Sequence, residues 1–291
     1  NPATKFISPN LSPVLIEQVK VSFQLEKPLI QQYHSFVLNI FKGDIGISYT
    51  FRKPVLNVIG EYLPFTIIFS LLSIALQLIS AILLVLISIK KINGWFDRLM
   101  TKLTFAVYSI PPFVIGLLLI LLFSVNIRIF PSAGLHSLDF QSLTFSEKFL
   151  DYLIHLTLPL ITISAGGAAL FYKYIRDNFV EVMNKPFVIY LRSLGIEEKI
   201  IQKKHILPNA LSPLLSVAGV ELGLLLGGAL ITEVIFGLPG MGRLTVDAIF
   251  SRDYPLIVGC TLVAGILVII ANFSADILKS LIDKRTASEM I

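Results

Sequence analysis

The chain alternates between long uncharged apolar runs and short polar stretches in which lysine and arginine collect. A helix needs roughly 20 apolar residues to cross the hydrocarbon core of a bilayer, where every backbone amide must be satisfied within its own segment. Five runs meet that need: residues 64–89, 103–125, 152–172, 211–236 and 254–277. The first two carry no charge and the third only His155; the fourth holds Glu221 and Glu233, and the fifth holds Asp276 near its end. This pattern predicts an all-α polytopic membrane protein with five transmembrane helices.

Composition agrees with that reading. Of the 291 residues, 55% are hydrophobic and 15% charged, whereas charged residues make up about a quarter of an ordinary soluble domain. Disorder is excluded by the same figures, because a disordered chain combines low hydrophobicity with high charge. The net charge of +5 is spread over separated short loops rather than gathered on one polar domain, so no nucleic-acid partner is expected. Cys260 is the lone cysteine, and His34, His136, His155 and His205 never pair at metal-ligand spacing. No metal and no cofactor bound by this chain is expected.

Charge asymmetry predicts orientation, since short cytoplasmic loops are enriched in lysine and arginine. Lys90, Lys91, Arg98 and Lys102 follow the first run; Lys173, Arg176, Lys185, Arg192, Lys199, Lys203 and Lys204 follow the third. The tail carries Lys279, Lys284 and Arg285, while the two intervening loops hold only Arg128 and Lys148, then Arg243 and Arg252. The alternation places residues 1–63 outside, and both basic loops and the C-terminus in the cytoplasm. Two units follow: a cap segment at 1–63, with an amphipathic helix expected at 12–25, and a membrane domain at 64–291 carrying a cytoplasmic loop at 173–210. The basic residues of the cap would not cross a membrane unaided, and the chain opens on Asn1 without a leader. A first transmembrane helix preceding this sequence is therefore expected, making six in all.

The loop at 173–210 is too long for a simple connection. Phe187, Val188, Leu191, Leu194, Ile196, Ile200 and Ile201 recur at steps of three and four, with Gly195 interrupting and Pro208 closing the segment. Two short helices meeting at a glycine are predicted. Periodicity alone leaves open whether they merely link two spans or dock a partner.

Several ordered motifs carry a resemblance. Gly195 is followed ten residues later by His205-Ile206-Leu207-Pro208-Asn209-Ala210; Gln32-Tyr33, Gly43-Asp44-Ile45-Gly46-Ile47-Ser48 and Pro54-Val55 precede the first run. Ser109-Ile110-Pro111-Pro112-Phe113, Phe130-Pro131-Ser132-Ala133-Gly134, the stretch from Glu233 through Gly237-Leu238-Pro239-Gly240-Met241-Gly242, and Arg252-Asp253-Tyr254-Pro255 follow in order. Together they resemble the binding-protein-dependent ABC importer permeases of the peptide and nickel branch, over essentially the whole chain. The resemblance implies a type I ABC importer transmembrane domain in the bacterial cytoplasmic (inner) membrane. It implies as partners a second homologous permease subunit, cytoplasmic ATP-binding subunits and an extracytoplasmic substrate-binding protein, all around the lipid bilayer. It also makes the loop an ATPase-coupling element, with Leu191, Arg192, Gly195, His205, Leu207, Pro208 and Asn209 as its residues. Where the family usually reads Ala-Arg-Ala-Lys-Gly, this chain has Leu191-Arg192-Ser193-Leu194-Gly195, and Pro186 stands at a position commonly acidic. The surface offered to an ATPase therefore differs in detail.

The chain has no glycine-rich loop ending in Lys-Ser or Lys-Thr, so it is not expected to bind or hydrolyse ATP itself. A serine hydrolase would need a nucleophile elbow, and none occurs. Ionisable residues inside a membrane are costly and mark functional candidates. Glu221, in mid-span, is expected to line the translocation pathway or to pair between helices; Gln77, Ser73 and Ser70 form a weaker polar stripe, and serines in membrane helices more often bond back to their own carbonyls. Glu233 and Asp276, near boundaries, are expected to reach headgroup water or cap a helix. Gly223, Gly227 and Gly228 suit close helix packing, and Pro111-Pro112 and Pro159 should kink their helices. Short peptides are the expected cargo, with nickel or a metal chelate as the alternative within the same fold. An ATP-independent secondary transporter would show internal repeats or paired broken helices, and no inverted repeat is evident.

Overall fold

The computed structural model describes residues 28–282. The helix expected at 12–25 and the tail residues Lys284 and Arg285 lie outside them. The described residues are helical with no strand; α1 (Leu29–Phe41) precedes a tight turn closed by a single bridge between Ile47 and Pro54. The long helix α2 (Val55–Ser88) follows, then α3 (Trp95–Ser109) and α4 (Pro112–Asn126). A hairpin leads into α5 (Phe145–Met183), followed by α6 (Pro186–Ser193), α7 (Glu198–Leu211) and α8 (Leu214–Leu226). The short α9 (Leu230–Ile235), α10 (Met241–Phe250) and the long α11 (Tyr254–Ile282) complete the order.

Among the described residues, α2, α5 and α11 are the unbroken helices long and apolar enough to span a bilayer, and these residues give up to five spans when each bent pair counts as one. The helix α2 starts at Val55, immediately after Pro54, so the expected division between residues 63 and 64 falls inside it. The run at 103–125 is not one helix. Pro112 opens α4 as its first residue, and Ile110, which precedes Pro111, is extended as a residue before proline prefers, so the chain turns by 97° between α3 and α4. The run at 211–236 is broken as well: α7 and α8 meet at a 43° bend around Pro213, and α8 ends at Gly227 after 13 residues. Pro159, by contrast, sits inside the continuous 39 residues of α5.

The pairs α2/α5 and α8/α11 form the most extensive helix contacts. Gly223 packs on Val268 and Gly219 on Ala275, giving α8 and α11 the close approach expected of a small-residue face. Gly227 and Gly228 serve differently from that expectation. Gly228 has φ of +106° and a Cβ there would stand 2.7 Å from the Gly242 Cα, so these glycines break the helix and let two backbone segments touch.

Three apolar clusters hold the bundle. The largest joins Ala81, Val85 and Ile89 of α2 and its end to Phe171, Ile175, Phe179 and Val182 of α5, and to Val188, Ile201, Ile206 and Ala210 of the α6–α7 segment. A second, at the opposite end, gathers Val55, Val58 and Ile59 with Met241, Leu244, Leu256 and Cys260. A third packs Phe69, Leu158, Phe236 and Leu238. The two ends of the bundle are thus built from different segments, and each carries one candidate site.

Candidate functional site

At the first end, α6 and α7 meet as predicted at Gly195, whose φ of +75° is a left-handed conformation that a side chain disfavours. Arg192 and Glu198 clip the two arms across this turn: Nε donates to Oε2 at 3.0 Å and Nη2 to Oε1 at 2.8 Å. The Arg192 Nη1 also reaches the Met183 carbonyl at 3.4 Å, tying the turn back to the end of α5. One face of the hairpin is rooted. Val188, Ile201 and Ile206 are fully buried against α5, while Leu191 and Leu207 pack half-buried on the same cluster. The other face presents apolar side chains to the outside, with Ile189 59%, Tyr190 63% and Leu194 57% exposed. Residues Ile201–Ile206 form a wider π-helical turn, closed by the Leu207 N–H donating to the Gln202 carbonyl. Such turns recur at functional positions. His205 is half-buried within it, Pro208 and Asn209 are exposed, and the Asn209 amide donates to the His205 carbonyl at 2.5 Å.

Beneath this hairpin lies a buried network that sequence reading missed. Asp97, 1% exposed, receives Arg176 Nε at 2.7 Å and Nη2 at 2.8 Å, the Asn93 N–H at 2.8 Å and the Tyr172 hydroxyl at 3.3 Å. Ser88 contacts the same tyrosine hydroxyl at 2.9 Å. The α2–α3 turn is thereby fixed to α5. Removing one partner of such a buried pair costs about 3–5 kcal/mol. Its one sequence signal was an acid, Asp97, standing alone among Lys90, Lys91, Arg98 and Lys102.

At the opposite end, two buried carboxylates organise the loops. Asp253 receives the Ser48 hydroxyl at 2.6 Å, the Thr50 N–H at 2.8 Å and, as N-cap of α11, the Leu256 N–H at 3.3 Å. Burial alone would raise the Asp253 carboxyl, but these hydrogen bonds outweigh it and hold the group below the ordinary carboxylate value. The two motifs at 43–48 and 252–255, far apart in sequence, are thus one assembly. Glu233 is fully buried and accepts the Arg243 N–H at 2.9 Å, so it caps the N-terminus of α10 from a neighbouring helix. Gly240 and Gly242 lie against its carboxyl group, which occupies the space a Cβ would need. Capping was one of the two roles expected of Glu233, and its carboxylate performs it from a buried position. Asp276 is exposed on α11. The hairpin after α4 joins the same assembly through the Gly134 N–H, which donates to the Phe236 carbonyl at 2.8 Å. Asp151 of α5 holds that hairpin, accepting from the Ser137 N–H at 2.9 Å and hydroxyl at 2.8 Å.

The pathway candidates separate. Glu221 is half-buried on α8, beside the exposed Val220 and Leu224, with no hydrogen bond or ion pair among the described residues. Gln77 and Ser73, the weaker pathway candidates, are fully buried in the α2/α5 seam. Gly167 of α5 leaves room for the Gln77 amide, which reaches the Ile163 carbonyl at 3.5 Å, and Ser73 bonds back to the Phe69 carbonyl at 2.7 Å. Ser70 is buried in the same way. These polar side chains face inward because α2 meets α5 along that stripe. No cluster of three metal-ligating side chains occurs among the described residues.

Residues 78–288 match the family described as the binding-protein-dependent transport system inner membrane component. The chain belongs to this family. Within it, the chain is 33% identical to the oligopeptide transport system permease protein AppB of Bacillus subtilis, covering 98% of this chain and 89% of that one. It is 30% identical to the dipeptide transport system permease protein DppB of Lactococcus lactis, with the same coverage of 98% and 89%. It is also 33% identical to the glutathione transport system permease protein GsiC of Pectobacterium atrosepticum, over 92% of this chain and 83% of that one. In solved structures the fold recurs in an inward-facing methionine ABC transporter, with a TM-score of 0.59 at 15% identity over 78% of this chain and 96% of that one. An amino acid ABC transporter solved with histidines gives a TM-score of 0.55 at 19% identity, over 79% and 94%. The fold is that of a type I ABC importer transmembrane domain, and the chain is an inner-membrane transport component.

Proposed function

We propose that this permease is half of the translocation channel of an ATP-driven importer of short peptides. The carrying observation is the Gly195 hairpin: one face rooted in the main apolar cluster, the other presenting Ile189, Tyr190 and Leu194 unpartnered. A short helix rooted on one side and seated in a partner's groove on the other converts that partner's closure into rotation of the bundle. The partner in this reading is a cytoplasmic ATP-binding subunit, which hydrolyses the nucleotide. The Gly195 end therefore faces the cytoplasm, and the Asp253 and Glu233 end faces outward toward an extracytoplasmic substrate-binding protein. A second, homologous permease completes the channel. Leu191, Leu207 and Arg192 set the hairpin's angle, while Gly195, His205, Pro208 and Asn209 shape the contact surface. Glu221 is the pathway residue, and Gln77 and Ser73 act only by setting the α2/α5 spacing. Peptide cargo is supported by relatives named for oligopeptide, dipeptide and glutathione transport.

The test combines two readouts in cells expressing the whole transport system. A cysteine replacing Tyr190 should form a cross-link to the ATP-binding subunit, while one replacing Leu138, fully exposed at the opposite end, should not. Uptake of a labelled dipeptide should depend on this chain. Uptake of nickel without dipeptide would overturn the cargo, and cross-linking from position 138 alone would overturn the orientation.

A further inference from the structure

Residues of α2, α3 and α5 line a crevice of about 390 Å³. This is within the range of small-ligand sites, about 300–1,000 Å³. Leu76 and Leu84 form its α2 wall, Met100 and Leu103 its α3 wall, and Ile161 and Ala168 its α5 wall. It also contains hydroxyls, but they are spent on backbone. Ser80 donates to the Leu76 carbonyl at 2.5 Å, Thr104 to the Met100 carbonyl at 2.8 Å, and Ser164 to the Ser73 carbonyl at 3.4 Å. Each hydroxyl proton is therefore already used, and no charged side chain lines the crevice to pair with a peptide's termini. Its chemistry suits a hydrocarbon chain.

Charge completes the site. The α2 wall continues past Leu84 to Lys90 and Lys91, both exposed and without an ion-pair partner among the described residues. Seven residues of helical rise put Lys91 about 10 Å beyond Leu84. The single acid between residues 89 and 110 is Asp97, and its charge is already matched by Arg176. Trp95, 76% exposed at the start of α3, is a side chain favoured at the membrane–water boundary.

We propose that this crevice binds one acyl chain of an anionic phospholipid whose phosphate rests on Lys90 and Lys91. The occupant is a lipid rather than a protein segment because the lining is mostly apolar and uncharged, and the α2–α3 turn and the start of α3 carry Lys90, Lys91, Arg98 and Lys102 against one acid already paired. The intact transporter, purified in mild detergent, is titrated with phosphatidylglycerol and phosphatidylcholine, and bound lipid is counted by native mass spectrometry. Two lysines near the surface give about a thirtyfold preference for the anionic lipid. The pair K90Q and K91Q, both surface changes, should abolish most of that preference while leaving assembly intact. Ala168→Leu should reduce retention of both lipids together. A cysteine at position 168 provides a second measurement that does not depend on filling the crevice: it should be labelled by photoreactive phosphatidylglycerol. Unchanged lipid preference in the double lysine variant would overturn the headgroup assignment. Cross-linking of position 168 to a neighbouring permease subunit, in place of lipid, would overturn the site.

Discussion

Gly195 allows the coupling proposal to be tested on backbone conformation alone. Its φ is +75°, and a Cβ built on it meets nothing within 4 Å. Substitution therefore carries no steric term from this chain, only the cost of holding a side chain in a left-handed conformation, about 1–2 kcal/mol. Alanine recovers some of this through a less disordered unfolded chain, about 0.4–1 kcal/mol. A net cost near 1 kcal/mol lowers the population of the native turn several-fold, since 1–2 kcal/mol corresponds to a factor of about 5–30. Asparagine tolerates this conformation better, whereas a β-branched residue there is an outlier. Expected uptake of labelled dipeptide thus falls in the order Gly, Asn, Ala, Val, with membrane insertion and assembly unchanged on blue-native gels. The Arg192–Glu198 clip should be loosened in the valine variant, seen as faster hydrogen exchange across 192–198. Full uptake by Gly195→Val would refute a required left-handed turn. An asparagine variant as inactive as valine would show instead that the partner's surface excludes any side chain, which refutes the conformational argument while leaving docking intact.

Gly167→Ala should drive its methyl group into the Gln77 amide, an overpacking worth about 1–3 kcal/mol; combining it with Gln77→Ala should restore much of the melting temperature, and strict additivity would count against the seam. Glu233→Ala leaves the Arg243 N–H without its buried acceptor and should lower thermal stability by about 1–3 kcal/mol, whereas Glu221→Ala, lacking partners, should alter uptake with little change in melting. The reverse pattern would remove Glu221 from the pathway. Asp253 is held below the ordinary carboxylate value, so its contribution is fully present above the unfolded pKa of about 3.9 and is lost as pH falls through the lower folded one. Protection of the 44–54 loop from proteolysis should therefore be flat from about pH 5 to 8, and Asp253→Asn should weaken it at every pH. A loop that loosens in wild type between those pH values would refute the tie.

Apolar run length made the existence of the membrane helices legible, because a bilayer imposes one length on every span. Their continuity was harder to read. Pro111-Pro112 and the Gly227-Gly228 pair break their runs, whereas Pro64 and Pro159 lie inside unbroken helices. These two breaks fall at doublets and the continuous helices hold isolated prolines, but a single proline inside an apolar run does not by itself say whether the helix ends there. The hairpin at Gly195 was legible because its apolar periodicity and its glycine are both local signals. Gln77 and Ser73 were legible as a polar stripe, and the back-bonding expected of a membrane serine is what Ser73 shows. Which element the stripe faces was not legible, because polar side chains inside a membrane turn toward a cavity or toward another helix, and composition does not say which. The Asp97–Arg176 and Ser48–Asp253 ties join residues 79 and 205 positions apart, so each became visible only once the fold had brought its halves together.

The two ends of the molecule are joined by one continuous element. At the hairpin end α5 packs Phe179 and Val182 under α6 and α7, and Arg176 fastens it to the α2–α3 turn. At the other end its Asp151 grips the hairpin whose Gly134 bonds the Phe236 carbonyl, next to the loop that wraps Glu233. From there the Met241 N–H donates to Thr66 of α2 at 2.8 Å, closing the circuit on a second continuous helix. A displacement applied at Gly195 therefore meets α2 and α5, two continuous helices fastened to each other through these ties. The interrupted elements are the bent pairs, α3 with α4 and α7 with α8, together with the Gly227–Gly228 break after α8. In the proposed importer, driven from one end, the continuous helices α2 and α5 would carry the rotation, and the broken helices would absorb the change in shape along the pathway assigned above to Glu221.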